Sequence, residues 1–227
     1  MRYIKLFVSD ENVVPQDGAI FAIFPDGKKA YYLNGRLHRI NGPAIIHSDG
    51  SKEYYQNGEL HRTNGPALVC PNGHKEYYQY GKLHRINGPA IIYSNKTKEY
   101  YQNGVPHRTN GPAVVYPDRL KGYHIKEYFQ NGKLHRVNGP AVICPNGRKE
   151  YWLNGQKHRD KGPAIILPDG TRAYYQHGKL HRIDGPAIIY STGKTEYFLN
   201  GILFNSKDEW LKQVKIELAK TIMEDII

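Results

Sequence analysis

The stretch Lys52–Gly73, which reads KEYYQNGELHRTNGPALVCPNG, recurs along most of this 227-residue chain and decides its fold. Close copies begin at Lys75 and Lys98, and the copies share a His-Arg pair. Seven such pairs occur: His38-Arg39, His61-Arg62, His84-Arg85, His107-Arg108, His135-Arg136, His158-Arg159 and His181-Arg182. Their spacing is 23 residues, except for one step of 28 that holds the insertion RLKGYH at residues 119–124. A fixed period of this length predicts a repeat array.

Two strand-like segments alternate within each repeat. In the quoted copy they are the aromatic segment KEYYQ and the aliphatic segment ALVC. Asn-Gly or Asp-Gly separates an aliphatic segment from the next aromatic one, as at Asn72-Gly73, and this pattern predicts a hairpin. The other connection, from Asn57 to Pro66, is longer. We therefore predict an all-β fold, an elongated, twisted antiparallel meander of hairpin repeats with about two main strands per repeat. A third short strand over the KLHR segment is an alternative.

The repeat pattern breaks at both ends of the chain. We expect an N-terminal cap strand over residues 1–18, about eight repeats over residues 19–204, and a C-terminal amphipathic capping helix over residues 205–227. Ser206 and Glu209 fit a capping box. Apolar residues at helical spacing support the helix: Trp210, Leu211, Val214, Leu218 and Ile222. We expect the helix to cover the last open sheet edge, with a partner-binding or membrane-surface helix as the alternative.

Hydropathy and cysteine usage predict a cytoplasmic protein. No segment approaches the roughly 18 apolar residues of a membrane span, and the first residues do not read as a signal peptide. Cys70 and Cys144 occupy equivalent positions three repeats apart. That separation is roughly 30 Å in a meander, whereas a disulfide needs Cα atoms within about 7 Å. We expect two reduced thiols in the cytoplasm, or in the host-cell cytoplasm or nucleus if the source is a virus or a pathogen.

The net charge of +11 is concentrated on the repeats. Residues 31–204 hold 24 of the 32 Lys and Arg residues but 12 of the 21 Asp and Glu residues. The seven repeated arginines supply more than half of this excess. The charge favours a polyanionic or acidic partner over a neutral scaffold, although the recurring Lys-Glu pairs dilute it.

Neither metal binding nor catalysis is predicted, and no cofactor is expected. Equivalent histidines of neighbouring repeats should lie about 10 Å apart, whereas one zinc ion needs several ligands at about 2.0–2.3 Å. The acidic residue that recurs in register is the Glu after Lys, as in Glu53. Because catalysis needs a unique, asymmetric set of groups, a repeated unit does not suit it. The sequence therefore predicts a non-enzymatic protein.

The His-Arg pair has two interpretations. In the structural one, both side chains bond backbone carbonyls near the Gly-Pro turn, and the arginine stacks on a tyrosine of the adjacent strand. In the functional one, the pairs form a ladder of cationic donors about every 10 Å. Outward-facing rings, represented by Tyr55, Tyr78 and Tyr101, complete an aromatic-basic groove in that case. The candidate binding residues are therefore these three tyrosines and all seven His-Arg pairs.

The repeat resembles the MORN repeat family. The resemblance rests on the 23-residue period, the aromatic strand and the Asn-Gly turn with its basic-His segment, as in Asn34–His38 and Asn131–His135, and it covers about residues 19–204. Two features depart from MORN: the rings are adjacent, as in Tyr54-Tyr55, and arginine replaces the glycine after His. The resemblance implies a divergent array of antiparallel hairpins, similar to those of bacteria and large DNA viruses. It further implies scaffolding, dimerisation or phospholipid binding, without catalysis.

Taken together, the sequence predicts a non-catalytic binding or scaffold protein that captures a protein partner along the aromatic-basic groove. The alternatives are a polyanion binder, for nucleic acid, nucleotide or anionic phospholipid, and a structural assembly component. A homodimer through the array ends fits the exposed sheet edges. The unique insertion is where a specific contact is expected, so deletion of Leu120–Tyr123 should keep the fold and reduce partner binding.

Overall fold

The computed structural model describes residues 4–7, 18–117 and 124–224, and it divides into two compact units. Side chains are described for residues 5–7, 18–117 and 125–220. The insertion, and with it the Leu120–Tyr123 deletion, lies outside the described residues except for the backbone of His124.

Unit 1 comprises residues 1–109 and 113–117. Its strands are β1 (Ile4–Phe7), β2 (Ala19–Ile23), β3 (Lys29–Leu33), β4 (Arg36–Leu37), β5 (Ile45–Ile46), β6 (Lys52–Glu53), β7 (Tyr55–Gln56), β8 (Glu59–Leu60), β9 (Leu68–Val69), β10 (Lys75–Glu76), β11 (Tyr78–Gln79), β12 (Lys82–Leu83), β13 (Ile91–Ile92), β14 (Lys98–Glu99), β15 (Tyr101–Gln102), β16 (Val105–Pro106) and β17 (Val114–Pro117). Neighbours in its main sheet follow the order β1, β2, β3, β5, β6, β9, β10, β13, β14, β17. These pairs are antiparallel except the parallel pair of β1 and β2. Strand β4 pairs with β3, and β7–β8, β11–β12 and β15–β16 are separate hairpins.

Unit 2 comprises residues 110–112 and 118–227. Its elements are β18 (His124–Glu127), β19 (Phe129–Gln130), β20 (Lys133–Leu134), β21 (Val142–Ile143), β22 (Lys149–Glu150), β23 (Trp152–Leu153), β24 (Gln156–Lys157), β25 (Ile165–Ile166), β26 (Arg172–Ala173), β27 (Tyr175–Gln176), β28 (Lys179–Leu180), β29 (Ile188–Ile189), β30 (Thr195–Leu199), β31 (Ile202–Phe204) and helix α1 (Lys207–Glu224). The antiparallel order is β18, β21, β22, β25, β26, β29, β30, β31, with β19–β20, β23–β24 and β27–β28 as separate hairpins. The predicted all-β meander of hairpins with one C-terminal helix is confirmed.

Each aromatic segment of the central repeats is divided at its first tyrosine. Tyr54 separates β6 from β7: its N–H donates to the Ala67 carbonyl at 2.7 Å, and its carbonyl accepts the His61 N–H at 2.9 Å. One segment therefore serves both the main sheet and a small hairpin, and the third short strand over the KLHR position is present. Asn57 and Gly58 connect this hairpin with φ of 53° and 87°, as a type I′ turn requires.

Alanine is the most completely buried residue of the repeats, beside a few buried aliphatic residues such as Ile91 and Val114. The alanine after each Gly-Pro is 0% exposed: Ala44, Ala67, Ala90, Ala113, Ala141, Ala164 and Ala187. Larger apolar clusters form around Phe24 and Tyr32 in unit 1, and around Leu199 and Trp210 in unit 2. Because a methyl side chain buries little apolar area, the central repeats depend strongly on hydrogen bonds and on stacking between their segments.

The C-terminal helix covers the end of the unit 2 sheet. Its N-cap is Ser206, whose Oγ accepts the N–H of Glu209 at 3.2 Å. Trp210 and Val214 are buried against Leu199, and α1 packs on β30 and β31. The predicted capping helix is therefore present.

The apolar face of this helix is narrower than its sequence spacing predicts. Leu211 and Leu218 are exposed, although both belong to the predicted apolar stripe. The side chain of Ile222 lies outside the described part. Nowhere in residues 4–7, 18–117 and 124–224 is a helix long and apolar enough to cross a membrane.

Candidate binding site on the repeat loops

The guanidinium of each His-Arg pair lies over the first tyrosine of its own repeat. Cζ of Arg62 is 3.8 Å from the ring centroid of Tyr54. The other six pairs have distances of 3.8 or 3.9 Å: Arg39–Tyr31, Arg85–Tyr77, Arg108–Tyr100, Arg136–Tyr128, Arg159–Tyr151 and Arg182–Tyr174. Because the negative ring face attracts the cation, each repeat holds its guanidinium in place and covers one face of this ring.

The same guanidinium bonds the turn that follows it. Nη1 of Arg62 donates to the Pro66 carbonyl at 3.1 Å. Equivalent bonds of 3.0 to 3.3 Å join Arg39 to Pro43, Arg85 to Pro89, Arg136 to Pro140, Arg159 to Pro163 and Arg182 to Pro186. Gly65 permits the close approach, since it has φ +141° and a Cβ there would lie 3.2 Å from Arg62 Cζ. Both arginine contacts of the structural interpretation are present.

The His-Arg pair also joins consecutive repeats within each unit. The N–H of Arg62 donates to the Tyr78 carbonyl at 3.1 Å, and Nδ1 of His61 accepts the N–H of Tyr80 at 3.2 Å. Equivalent bonds of 3.1 or 3.2 Å run from the amides of Asn57, Asn103, Asn154, His177 and Asn200 to the preceding repeat's histidine. The structural interpretation assigned the imidazole to backbone carbonyls, whereas the contact of Nδ1 is with a backbone N–H in the left-handed turn position.

The second ring of each pair has a different environment. The hydroxyls of Tyr55, Tyr78 and Tyr101 each donate to the Glu two residues earlier, at 2.8 to 3.1 Å. Burial and the neighbouring Glu99 carboxylate raise the pKa of Tyr101 to about 12, and the same two causes raise those of Tyr55 and Tyr78. The side-chain contacts described for these rings are with glutamate, whereas the guanidiniums lie over the first rings.

Open depressions lie between consecutive Arg loops, by which we mean the segments from each His-Arg pair to the following proline. In unit 1, depressions of about 340 and 380 Å³ separate the Arg loops 38–43, 61–66 and 84–89. In unit 2, one of about 440 Å³ separates the Arg loops 135–140 and 158–163. Each is lined by two arginines and by the first tyrosine between them. The candidate arginines therefore border a shared surface within each unit.

An exposed β-branched residue follows the arginine in most Arg loops, and sequence reasoning missed this row. Ile40, Ile86 and Val137 are 69%, 74% and 75% exposed. The signal in the sequence is a β-branched residue placed directly between Arg and the polar Asn-Gly-Pro turn, where no other segment covers it. Arginine is enriched at protein interfaces, and the buried core of an interface is more apolar than the rest of the surface.

The last Arg loop carries its own carboxylate. Oδ1 of Asp184 accepts Nε of Arg182 at 2.7 Å, and this guanidinium holds the pKa of the Asp184 carboxyl below its ordinary value. The same position is asparagine in the unit 1 Arg loops: Asn41, Asn64 and Asn87. There the one hydrogen bond that each guanidinium makes to the described residues is Nη1 to the proline carbonyl, in Arg39, Arg62 and Arg85.

No three His, Cys, Asp or Glu side chains of the described chain are grouped so as to hold a metal ion. Cys70 and Cys144 are free thiols, half-buried in their repeats.

No model of a known protein family matches the chain, and no curated protein is detectably similar to it.

Proposed function

We propose that this chain is a non-catalytic, cytoplasmic binding or scaffold protein whose Arg loops take a protein partner. One observation carries the proposal: a guanidinium fixed by its own repeat stands beside an exposed β-branched side chain at the rim of an open depression. In unit 1 this grouping occurs at Arg39-Ile40 and Arg85-Ile86, with Arg62-Thr63 between them.

Fixation of the arginines favours binding. The ring contact and the proline carbonyl hold Arg62 before any partner arrives. An arginine that is already ordered loses little side-chain entropy when a partner binds, and such losses are about 0.5–1.5 kcal/mol for a mobile side chain. Burial of Ile40 or Ile86 adds about 25 cal/mol for each Å² of apolar surface removed from water.

The MORN resemblance supports a scaffold role as part of the same proposal. The 23-residue period and the paired hairpins fit such an array. In this proposal the groove is lined by the first rings, such as Tyr54 and Tyr77, which border the depressions. The predicted lining was instead the second rings, Tyr55, Tyr78 and Tyr101.

A polyanion binder is the second candidate, because one face of the unit 1 sheet carries a row of exposed lysines. Lys29, Lys52, Lys75 and Lys98 each pair with an aliphatic residue on a neighbouring strand, so lysines and aliphatics share that face. The Arg loops suit nucleic acid less well. Their tyrosines have one face covered by arginine, which limits stacking of bases, and Ile40 and Ile86 offer no partner to phosphate.

The test is a peptide-display selection on the full chain. Three proteins would be compared: the wild type, the double variant Ile40→Ser/Ile86→Ser, and the control Ile202→Ser. Each would be titrated with the selected peptides, with an oligonucleotide and with anionic vesicles. Ile202 is 63% exposed and lies on β31, which is not part of an Arg loop. We expect peptides whose affinity falls about tenfold in the double variant and is unchanged in the control. Failure to select any peptide, together with oligonucleotide binding that falls steeply with salt, would replace this function with the polyanion alternative.

A further inference from the structure

We infer that the three Arg loops of unit 1 bind an acidic polyproline II segment that presents one carboxylate at every third residue. The inference rests on the proposed function, and it names the chemistry and conformation of the partner. It concerns Arg39, Arg62 and Arg85, whose repeats follow one another within unit 1.

The chain itself shows which group these guanidiniums can bind. In the last Arg loop, the Asp184 carboxylate bonds Nε of Arg182 while Nη1 still donates to the Pro186 carbonyl. The stacking distance to Tyr174 is 3.9 Å, so the carboxylate is added without disturbing the arrangement found in unit 1. An external carboxylate can take the same place at Arg62, because asparagine replaces aspartate in that loop.

The spacing of the loops selects the conformation of the partner. Two main-sheet strands per repeat place equivalent arginines about 9.6 Å apart. A polyproline II helix advances about 9.3 Å over three residues and returns to the same face. Over the two steps from Arg39 to Arg85 the mismatch is roughly 0.6 Å.

Other regular conformations fit less well. A β-strand repeats a face every two residues, which is about 6.6 Å. An α-helix returns to nearly the same face after seven residues, or about 10.5 Å, and the mismatch then grows to roughly 2 Å over two steps. A polyproline II chain keeps two residues between successive carboxylates, and these are available for each depression.

The surface between the arginines matches the remaining residues of such a segment. The two depressions are lined by Tyr54 and Tyr77, with Ile40 and Ile86 also on their walls. Proline rings pack well on aromatic and aliphatic groups, and a preformed polyproline II chain loses little entropy on binding. Among the described residues, five basic side chains and no carboxylate line these two depressions: Arg39, His61, Arg62, His84 and Arg85.

The experiment uses the full chain and a fluorescent peptide of four Glu-Pro-Pro repeats, followed by fluorescence anisotropy at low salt. A second peptide has the same composition with its four glutamates contiguous. The protein variants are Asn64→Asp, which supplies the internal carboxylate found in the last Arg loop, and Asn72→Asp, which makes the same charge change in a hairpin turn. Aspartate occurs naturally at the equivalent turn position, Asp49, so the control variant is expected to fold.

We expect the regular peptide to bind at least about tenfold more tightly than the contiguous one, and Asn64→Asp to weaken it about tenfold. Asn72→Asp should change the affinity by less than about twofold. Equal binding of the two peptides, equal effects of the two variants, or absence of binding would each overturn the inference. A display selection that still yields peptides dependent on Ile40 and Ile86 would then leave the proposed function standing.

Discussion

The guanidinium carbon of Arg62 lies 3.8 Å from the centre of the Tyr54 ring, while Nη1 of the same arginine donates to the Pro66 carbonyl. One side chain thus ties the aromatic segment to the loop of its own repeat. Its backbone N–H also reaches the Tyr78 carbonyl of the next repeat. The repeated arginine therefore serves the fold, and the edge that carries Nε and Nη2 is what it can offer to a partner.

Replacement of Arg62 by Gln should destabilise unit 1 by about 1–3 kcal/mol, because the ring contact and the proline bond are both lost. Arg62→Lys should cost nearly as much, since an ammonium cannot make both contacts with the geometry of the planar guanidinium. Urea unfolding followed by circular dichroism gives the free energies. The control is Lys52→Gln, an exposed lysine of β6, which should stay within about 0.5 kcal/mol of the wild type. Equal losses in Arg62→Gln and Lys52→Gln, with no loss in Arg62→Lys, would show that net charge, rather than the ring contact, matters.

A methyl group at Gly88 should displace Arg85 from its ring. Gly88 has φ +143°, and a Cβ there would lie 2.9 Å from Arg85 Cζ. Gly73 also has positive φ, +88°, but its Cβ would meet nothing within 4 Å. We expect Gly88→Ala to destabilise more than Gly73→Ala, and the difference to shrink by at least about 0.5 kcal/mol in an Arg85→Gln background. Additive effects would mean that the glycine is needed for backbone conformation alone.

The turn at Asp169 predicts a specific pH dependence. The Thr171 amide and hydroxyl, followed by the Ser191 hydroxyl of the next repeat, bond this carboxylate and hold its pKa below its ordinary value. Such a carboxylate stabilises the fold above the ordinary Asp pKa, and the contribution is lost as the pH falls through the lowered value. Asp169→Asn should therefore reduce stability at neutral pH, and its difference from the wild type should vanish in acid.

Unfolding of both proteins between pH 7 and pH 2 measures this difference. Glu59→Gln is the control, since it removes one exposed carboxylate from β8. A difference between Asp169→Asn and the wild type that stays constant down to the lowest pH would contradict the assignment.

Replacement of Trp210 by Ala should destabilise unit 2 by about 3–5 kcal/mol, because a large buried ring leaves a cavity. Trp210 is 3% exposed, packs on Leu199 and Val214, and donates Nε1–H to the Arg182 carbonyl. Leu218→Ala on the exposed side of the helix should have little effect. If Trp210→Ala unfolded at the same denaturant concentration as the wild type, a capping role for α1 would be contradicted.

Much of the fold can be predicted from the sequence because the same turn and strand signals recur in seven repeats. Asn72-Gly73 and the aliphatic strand at Leu68 identify a turn and a strand directly. The division of KEYYQ at Tyr54 could not be predicted, because strand propensity does not show that one segment serves two ladders. The exposed Leu218 has a similar cause: helical spacing gives a stripe, but the narrow sheet end covers only part of it.

The candidate site could also be predicted from the sequence only in part. The contacts of Arg62 with a ring and with a carbonyl follow from its chemistry and its place beside the Gly-Pro turn. The role of His61 as acceptor for the next repeat depends on a pairing 19 residues away, which the spacing of equal units does not reveal. Whether a side chain such as Ile40 is exposed depends likewise on what the loop leaves uncovered.

Amide hydrogen exchange at Tyr80 tests most directly the claim that the His-Arg pair fastens each repeat to the next. The one hydrogen bond described for this N–H is to Nδ1 of His61. The account predicts a protected Tyr80 amide in the wild type and at least about tenfold faster exchange in His61→Ala. The Asn103 amide, bonded to His84, should stay protected in the variant. Exchange of Tyr80 at the unprotected rate in the wild type, or no change in His61→Ala, would contradict the claim.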